Sequence, residues 1–142
     1  MSAENAELIR RTYEEANRAR WGRIEEVQRA VLSAMDPEVE WHTSSDLPDS
    51  GVYRGHDSVA ALIHEWLNSF EDFRADPEEF IDRGAYVVVP LLLRGRIPGS
   101  RESDQEVTLS RAHVYEVREG KVVEVRECLT LKQALEAAGV RE

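Results

Sequence analysis

The run from Val107 to Leu129, VTLSRAHVYEVREGKVVEVRECL, constrains this chain more than any other stretch. Side-chain character alternates along it with period two, and Glu119-Gly120 interrupts the alternation with turn chemistry. It reads as two strands joined in a hairpin. Successive side chains of a strand point to opposite faces. Val107, Leu109, Arg111, His113, Tyr115 and Val117 therefore share one face of the first strand, and Thr108, Ser110, Ala112, Val114 and Glu116 the other. On the second strand Val123, Val125, Glu127 and Leu129 lie opposite Val122, Glu124, Arg126 and Cys128. The larger, more apolar face of each strand should look into a core, and it carries Arg111, His113 and Glu127 inward. An ionisable group in an apolar interior is costly unless it is paired or has a task. These three residues are the first site candidates.

The segments before and after the hairpin supply what would enclose them. From Ala3 to Arg20 the positions Ile9, Tyr13 and Ala16 fall at helical spacing. Trp21-Gly22 breaks that helix, and a second, with Ile24, Val27, Val31 and Leu32 inward, stops before Asp36-Pro37. Residues 38–43 read as a first strand and SSDLPDSGVYRG (44–55) as a loop. Asp57 or Ser58 then caps a third helix whose buried stripe is Val59, Leu62, Ile63, Trp66, Leu67 and Phe70. Beyond it the pattern turns strand-like, from Phe73 to Asp82, with Pro77 marking an edge or bulge, and from Tyr86 to Arg96. A polar loop at the mouth (97–105) precedes the hairpin, and a short helix from Leu131 to Ala138 ends at Gly139. Helices followed by antiparallel strands make an α+β chain, a curved sheet wrapped over about three helices with a pocket between them.

Length and charge narrow the functional classes. At 142 residues the chain suits a single domain, taken as 1–142. A net charge of −10 disfavours nucleic acid and anionic membranes, which both need a basic patch. The acidic start lacks the pattern of a secretory signal, and the lone Cys128 excludes an internal disulfide; both fit a cytoplasmic home. No histidine pair has metal-ligand spacing with a carboxylate beside it, so no metal is expected, and no glycine motif suggests a phosphate-bearing cofactor. Thr108, Ser110, Ala112 and Val114 form a small, mildly polar sheet face, and if no helix covers it, homodimerisation through that face is the simple remedy.

The order of DPEVEWH, YRGHDSV, FRADPEEFIDRGAYVVV, AHVYEVREGKVVEVRE and ALEAAG resembles the SnoaL-like branch of the nuclear transport factor 2-like superfamily, which includes polyketide cyclases, ketosteroid isomerase and limonene-epoxide hydrolase. The resemblance covers nearly the whole chain. It implies a cone-shaped barrel, a cavity for a small apolar or aromatic ligand, no cofactor and a homodimer. In the cyclases an aspartate shortly after the Gly-Lys/Arg turn acts as acid/base, and Glu127 occupies about that place, one carbon longer. A cavity histidine on the preceding strand corresponds to His113, and Tyr13 matches the first-helix tyrosine that serves isomerases as an oxyanion donor. The isomerases' aspartate base falls where this chain has Trp41-His42, so that set is not reproduced. Arg111 and Glu127 resemble parts of the hydrolases' Asp-Arg-Asp relay, whose second Asp is not evident.

The candidate roles are then Glu127 as base, His113 or Arg111 holding a developing oxyanion, and Tyr13 as a further donor. Trp41, Trp66, Phe70, Tyr115 and Val125 would line the ligand pocket. Each has a plainer reading: an Arg111–Glu127 ion pair that closes the barrel, a core histidine, and aromatics that only pack. Two functions follow, a cofactor-free isomerase, cyclase or hydrolase-like enzyme, and a non-catalytic binding or stress-type domain. In the second, Arg111, His113 and Glu127 should pair only with one another.

Overall fold

The computed structural model describes residues 2–19, 23–44, 51–96 and 106–139. The expected helix break at Trp21-Gly22 and the expected mouth loop at 97–105 lie outside them, as do residues 45–50 of the expected first loop. Two helices, α1 (Ser2–Ala19) and α2 (Ile24–Ser33), lead into β1 (Met35–His42) and β2 (Val52–Arg54). Then come α3 (Gly55–Asn68), β3 (Glu71–Pro77), β4 (Ile81–Arg83) and β5 (Tyr86–Arg96). The hairpin strands β6 (Glu106–Arg118) and β7 (Lys121–Cys128) and the helix α4 (Leu131–Ala137) complete the chain.

The strands form one seven-stranded sheet in the order β2-β1-β7-β6-β5-β3, with β4 also paired to β5. Every ladder is antiparallel except β1–β7, which is parallel. The α+β architecture is as expected, with α1, α2 and α3 on the inner face, but the sheet stays open and does not close into a barrel. Ile9, Ala16, Val27, Val59 and Ile63 from the helices meet Val39, Val87, Val89, Leu91 and Val125 from the sheet in one buried core.

The hairpin turns where the sequence places it. Glu119 (φ 51°) and Gly120 (φ 76°) are both left-handed, the conformation a two-residue turn between twisted strands needs. The pairing runs His113↔Glu127 and Tyr115↔Val125, so the strand parity holds over the site. It fails next to the turn. Glu116 pairs with Glu124 but Val117 with Val122, which leaves Val123 as an extra residue. This bulge inverts the faces beyond it. Val122, expected on the outer face, is buried in the core beside Val125.

Three other expectations change. Val52–Arg54 is not loop but a strand paired to Glu40–His42; three residues are too few for alternation to show. The single strand expected over 73–82 is two, because the chain leaves the ladder after Pro77 and rejoins at Ile81. Pro90, which has no N–H to donate, sits where β3 gives way to β4, and its carbonyl accepts from the Glu78 N–H at 2.8 Å. The third helix begins at Gly55 (φ 82°), before Asp57 and Ser58, and no side chain caps it. The outer face also departs from expectation. Val88, Ala112 and Val114 are covered by Ala134 and Ala138 of the C-terminal segment, so only Thr108 and Ser110 of the small-residue row are exposed.

Candidate functional site

Between the inner sheet face and the three helices lies a cavity of about 400 Å³. Its walls are mostly apolar, with Ile9, Ala16 and Ile63 on one side and Ala75, Leu91 and Leu93 on the other. Polar and amphipathic side chains break that surface, among them Tyr13, Trp41, Arg111, His113, Tyr115 and Glu127, with Glu65 of α3 also on the wall. Of the residues expected at the pocket, Trp66 lines it too, though it is 39% exposed. Phe70 and Val125 do not line it. Phe70 packs on Trp66 and so close to β5 that a Cβ on Gly95 would lie 2.9 Å from its own Cβ, while Val125 is wholly buried in the core.

Glu127 reaches the cavity from β7. The indole Nε1–H of Trp41, on the neighbouring β1, donates to its Oε2 at 2.6 Å. Burial pushes the Glu127 carboxyl above its ordinary value, and the Trp41 hydrogen bond and the Arg111 charge pull it part of the way back. No described residue hydrogen-bonds Oε1. The Arg111–Glu127 ion pair does not form. Arg111 instead donates from Nη1 to the Ser110 carbonyl at 2.8 Å.

His113 stands across the ladder from Glu127 and is 8% exposed. Burial first, and the nearby Arg111 second, hold its pKa down to about 4, so the ring is neutral at pH 7. Its edge meets the Trp41 ring with centroids 6.0 Å apart, and its Nδ1 lies 3.5 Å from the Tyr115 hydroxyl. Tyr13 on α1 and Tyr115 on β6 bring their hydroxyls to 2.6 Å in a buried pair. Burial raises both phenols, and the Glu127 charge adds to each. Both therefore stay protonated near neutrality. One hydroxyl donates to the other, whose own hydrogen is left for a third group.

The structure thus brings Glu127, His113, Arg111, Tyr13, Trp41 and Tyr115 to one cavity. Two pairings were not foreseen. Trp41 and Tyr115 were expected only as walls, and they prove to be the hydrogen-bond partners of Glu127 and Tyr13. A second polar cluster sits on the outer face, where Glu40, His42 and Glu124 place ligand-type atoms within 4.8 Å of one another. Spacing along the chain could not show it, because Glu40 and Glu124 meet only through the β1–β7 ladder. Both carboxylates are already engaged, Glu40 by Arg54 at 3.2 Å and Glu124 by Arg126 at 2.6 Å, so the cluster is accounted for as an ion-pair network.

A family model described as the SnoaL-like domain matches residues 9–125. The chain belongs to the SnoaL-like family. Among solved structures, this SnoaL-like chain is similar to a putative SnoaL-like polyketide cyclase from Jannaschia sp. CCS1, at 19% identity over 99% of this chain and 95% of that one, with a TM-score of 0.74. It is also similar to a nuclear transport factor 2-like protein of unknown function from Burkholderia pseudomallei (24% identity, 94% and 95% covered, TM-score 0.72). A third is TerC, co-crystallised with polyporic acid (23% identity, 96% and 98% covered, TM-score 0.68). At these identities the likeness establishes the fold and leaves the chemistry open. None of the curated proteins compared with the chain matches it. Among the described residues, no helix is long and apolar enough to cross a membrane.

Proposed function

We propose that this SnoaL-like protein binds a small apolar or aromatic molecule in the cavity and moves a proton beside its carbonyl group without a cofactor, as in isomerisation or cyclisation. The observation that carries this reading is the half-buried Glu127 carboxyl on a largely apolar wall, one oxygen held by Trp41 and the other without a hydrogen bond among the described residues. A raised carboxyl brings a base closer to the working pH, where proton transfer gains most. Trp41 fixes the direction of that base. The Tyr13–Tyr115 pair supplies a hydrogen to the oxygen on which negative charge develops, and its raised phenols make it a donor and not an acid. His113, neutral at pH 7, can accept or donate once without introducing a charge.

The rival, a binding or stress-type domain without chemistry, would have Arg111, His113 and Glu127 spent on one another. None of the three bonds another within hydrogen-bond distance among the described contacts, which supports the enzymatic reading. The proposal extends to a cytoplasmic homodimer joined through the outer sheet face, narrowed to the part that α4 leaves open around Thr108 and Ser110.

The test is deuterium exchange next to a carbonyl, followed by NMR on a panel of bicyclic aromatic ketones such as 2-tetralone. The wild-type protein should accelerate exchange for at least one ketone, and Glu127→Gln should reduce the acceleration about a hundredfold or more while the melting temperature is unchanged or higher. Exchange as fast in Glu127→Gln as in wild type would remove Glu127 from the role of base.

A further inference from the structure

We propose that the natural ligand of this cavity is an anion, a flat apolar acid whose carboxylate is received by Arg111. The inference rests on the reading of the cavity as a small-molecule site and narrows it. Three described arginines are not exposed: Arg10, Arg94 and Arg111. Arg10 closes ion pairs with Glu7 and Glu14, and Arg94 meets Asp76 at 3.1 Å. Arg111 has no carboxylate within ion-pair distance among the described residues, and its one hydrogen bond goes from Nη1 to the carbonyl of Ser110. A guanidinium carries five N–H donors, and among the described residues only one of the five is engaged.

Its position makes that capacity matter. Arg111 projects from the inner face of β6 opposite Leu91, and both line the cavity. Arg111 is half-buried there, and a cation beside an apolar wall gains from a counter-charge brought to it. None of the described residues supplies one at ion-pair distance. Glu127 is held on its Oε2 by Trp41, and Glu65, the other carboxylate on the cavity wall, lies on the exposed side of α3 and closes no ion pair with Arg111 among the described residues. The Arg111 charge is nevertheless felt inside, since it lowers the pKa of both His113 and Glu127.

A ligand carboxylate matches the planar fork of a guanidinium with two parallel hydrogen bonds. Its single charge also suits the site. A phosphate dianion would meet one cation and the two carboxylates Glu65 and Glu127. The protein carries a net charge of −10, so its overall field repels acids, and a local cation must provide any preference for them.

Calorimetric titration of the full chain with benzoate, 2-naphthoate and 9-anthroate, each against its own methyl ester, tests this. At least one acid should bind about tenfold or more tightly than its ester, the size of a charge-assisted bond. Arg111→Gln should bring the acid down to the level of the ester and leave the ester unchanged. Arg111→Lys should keep a preference for the acid, which guards against a Gln variant that misfolds. Acid and ester bound equally by the wild type, or a preference that survives in Arg111→Gln, would overturn the anion inference and leave the cavity reading standing. No binding by any acid or ester would overturn both.

Discussion

Removing the indole hydrogen bond from Glu127 while keeping an aromatic wall isolates the feature on which the proposed chemistry most depends. Trp41→Phe does this, because a phenyl ring retains the apolar contact and loses the Nε1–H that donates to Oε2 at 2.6 Å. A hydrogen bond to a charged group is worth about 1.5–3 kcal/mol. One pKa unit corresponds to about 1.4 kcal/mol of preference between the two protonation states. The Glu127 carboxyl, already raised by burial, should therefore move up further. Water admitted by the smaller ring would work against this, so an upward shift is a demanding outcome. The assay is the carboxyl carbon shift of glutamate-labelled protein against pH, with Glu127 assigned by its absence in Glu127→Gln.

The same substitution has a thermodynamic signature. The folded-state value of Glu127 lies above that of an unfolded glutamate, so the folded state holds the proton more tightly. This contribution to stability is full below the unfolded value and is lost as pH rises through the folded value. Since Trp41 favours the ionised form, Trp41→Phe should lower stability more at pH 8 than at pH 4, by a difference of about 1.5–3 kcal/mol. The low-pH limb of any pH–rate profile, where the base becomes protonated, should shift with the NMR midpoint. A midpoint that stays in place, or a stability loss of equal size at both pH values, would show that the indole does not stabilise the ionised form, and the argument for Trp41 as an orienting residue would fall with it.

Two further outcomes follow from the interior polar groups. Tyr13→Phe strips the Tyr115 hydroxyl of its 2.6 Å partner and should cost about 1–2 kcal/mol in urea denaturation, whereas Tyr13→Phe with Tyr115→Phe should cost clearly less than the sum of the two single changes; strict additivity would mean that the pair is not a buried bond. His113, held down to about 4 against an ordinary 6.5, lends stability that is complete above 6.5 and is lost as pH falls towards 4. His113→Phe should flatten the acid-side fall in melting temperature over that window, and a His113 ring that titrates near 6.5 by NMR would refute the burial argument.

What could be read from the sequence was decided by distance along the chain. The hairpin was legible because its period and its turn are local, and the same parity placed Arg111, His113 and Glu127 on the inner face together. It misplaced Val122, since a one-residue bulge leaves no mark in an alternation of valines. The partners of the site residues were not legible at all. Trp41 lies 86 positions from Glu127, and Tyr13 lies 102 from Tyr115. Both meetings depend on tertiary geometry. The first follows from the sheet's parallel ladder, where Trp41 pairs with Val125 and so stands diagonal to Glu127, two residues further along β7. That ladder joins the first strand of the chain to the last, and it sets a donor against a carboxylate that the hairpin alone would leave unaimed. The second follows from α1 lying across the inner face, which carries the hydroxyl of Tyr13 to β6. The hairpin supplies Arg111, His113, Tyr115 and Glu127, and the two segments from the other end of the chain supply the hydrogen bonds to Glu127 and Tyr115, so the acid/base unit is complete only when β1 and α1 have joined the hairpin.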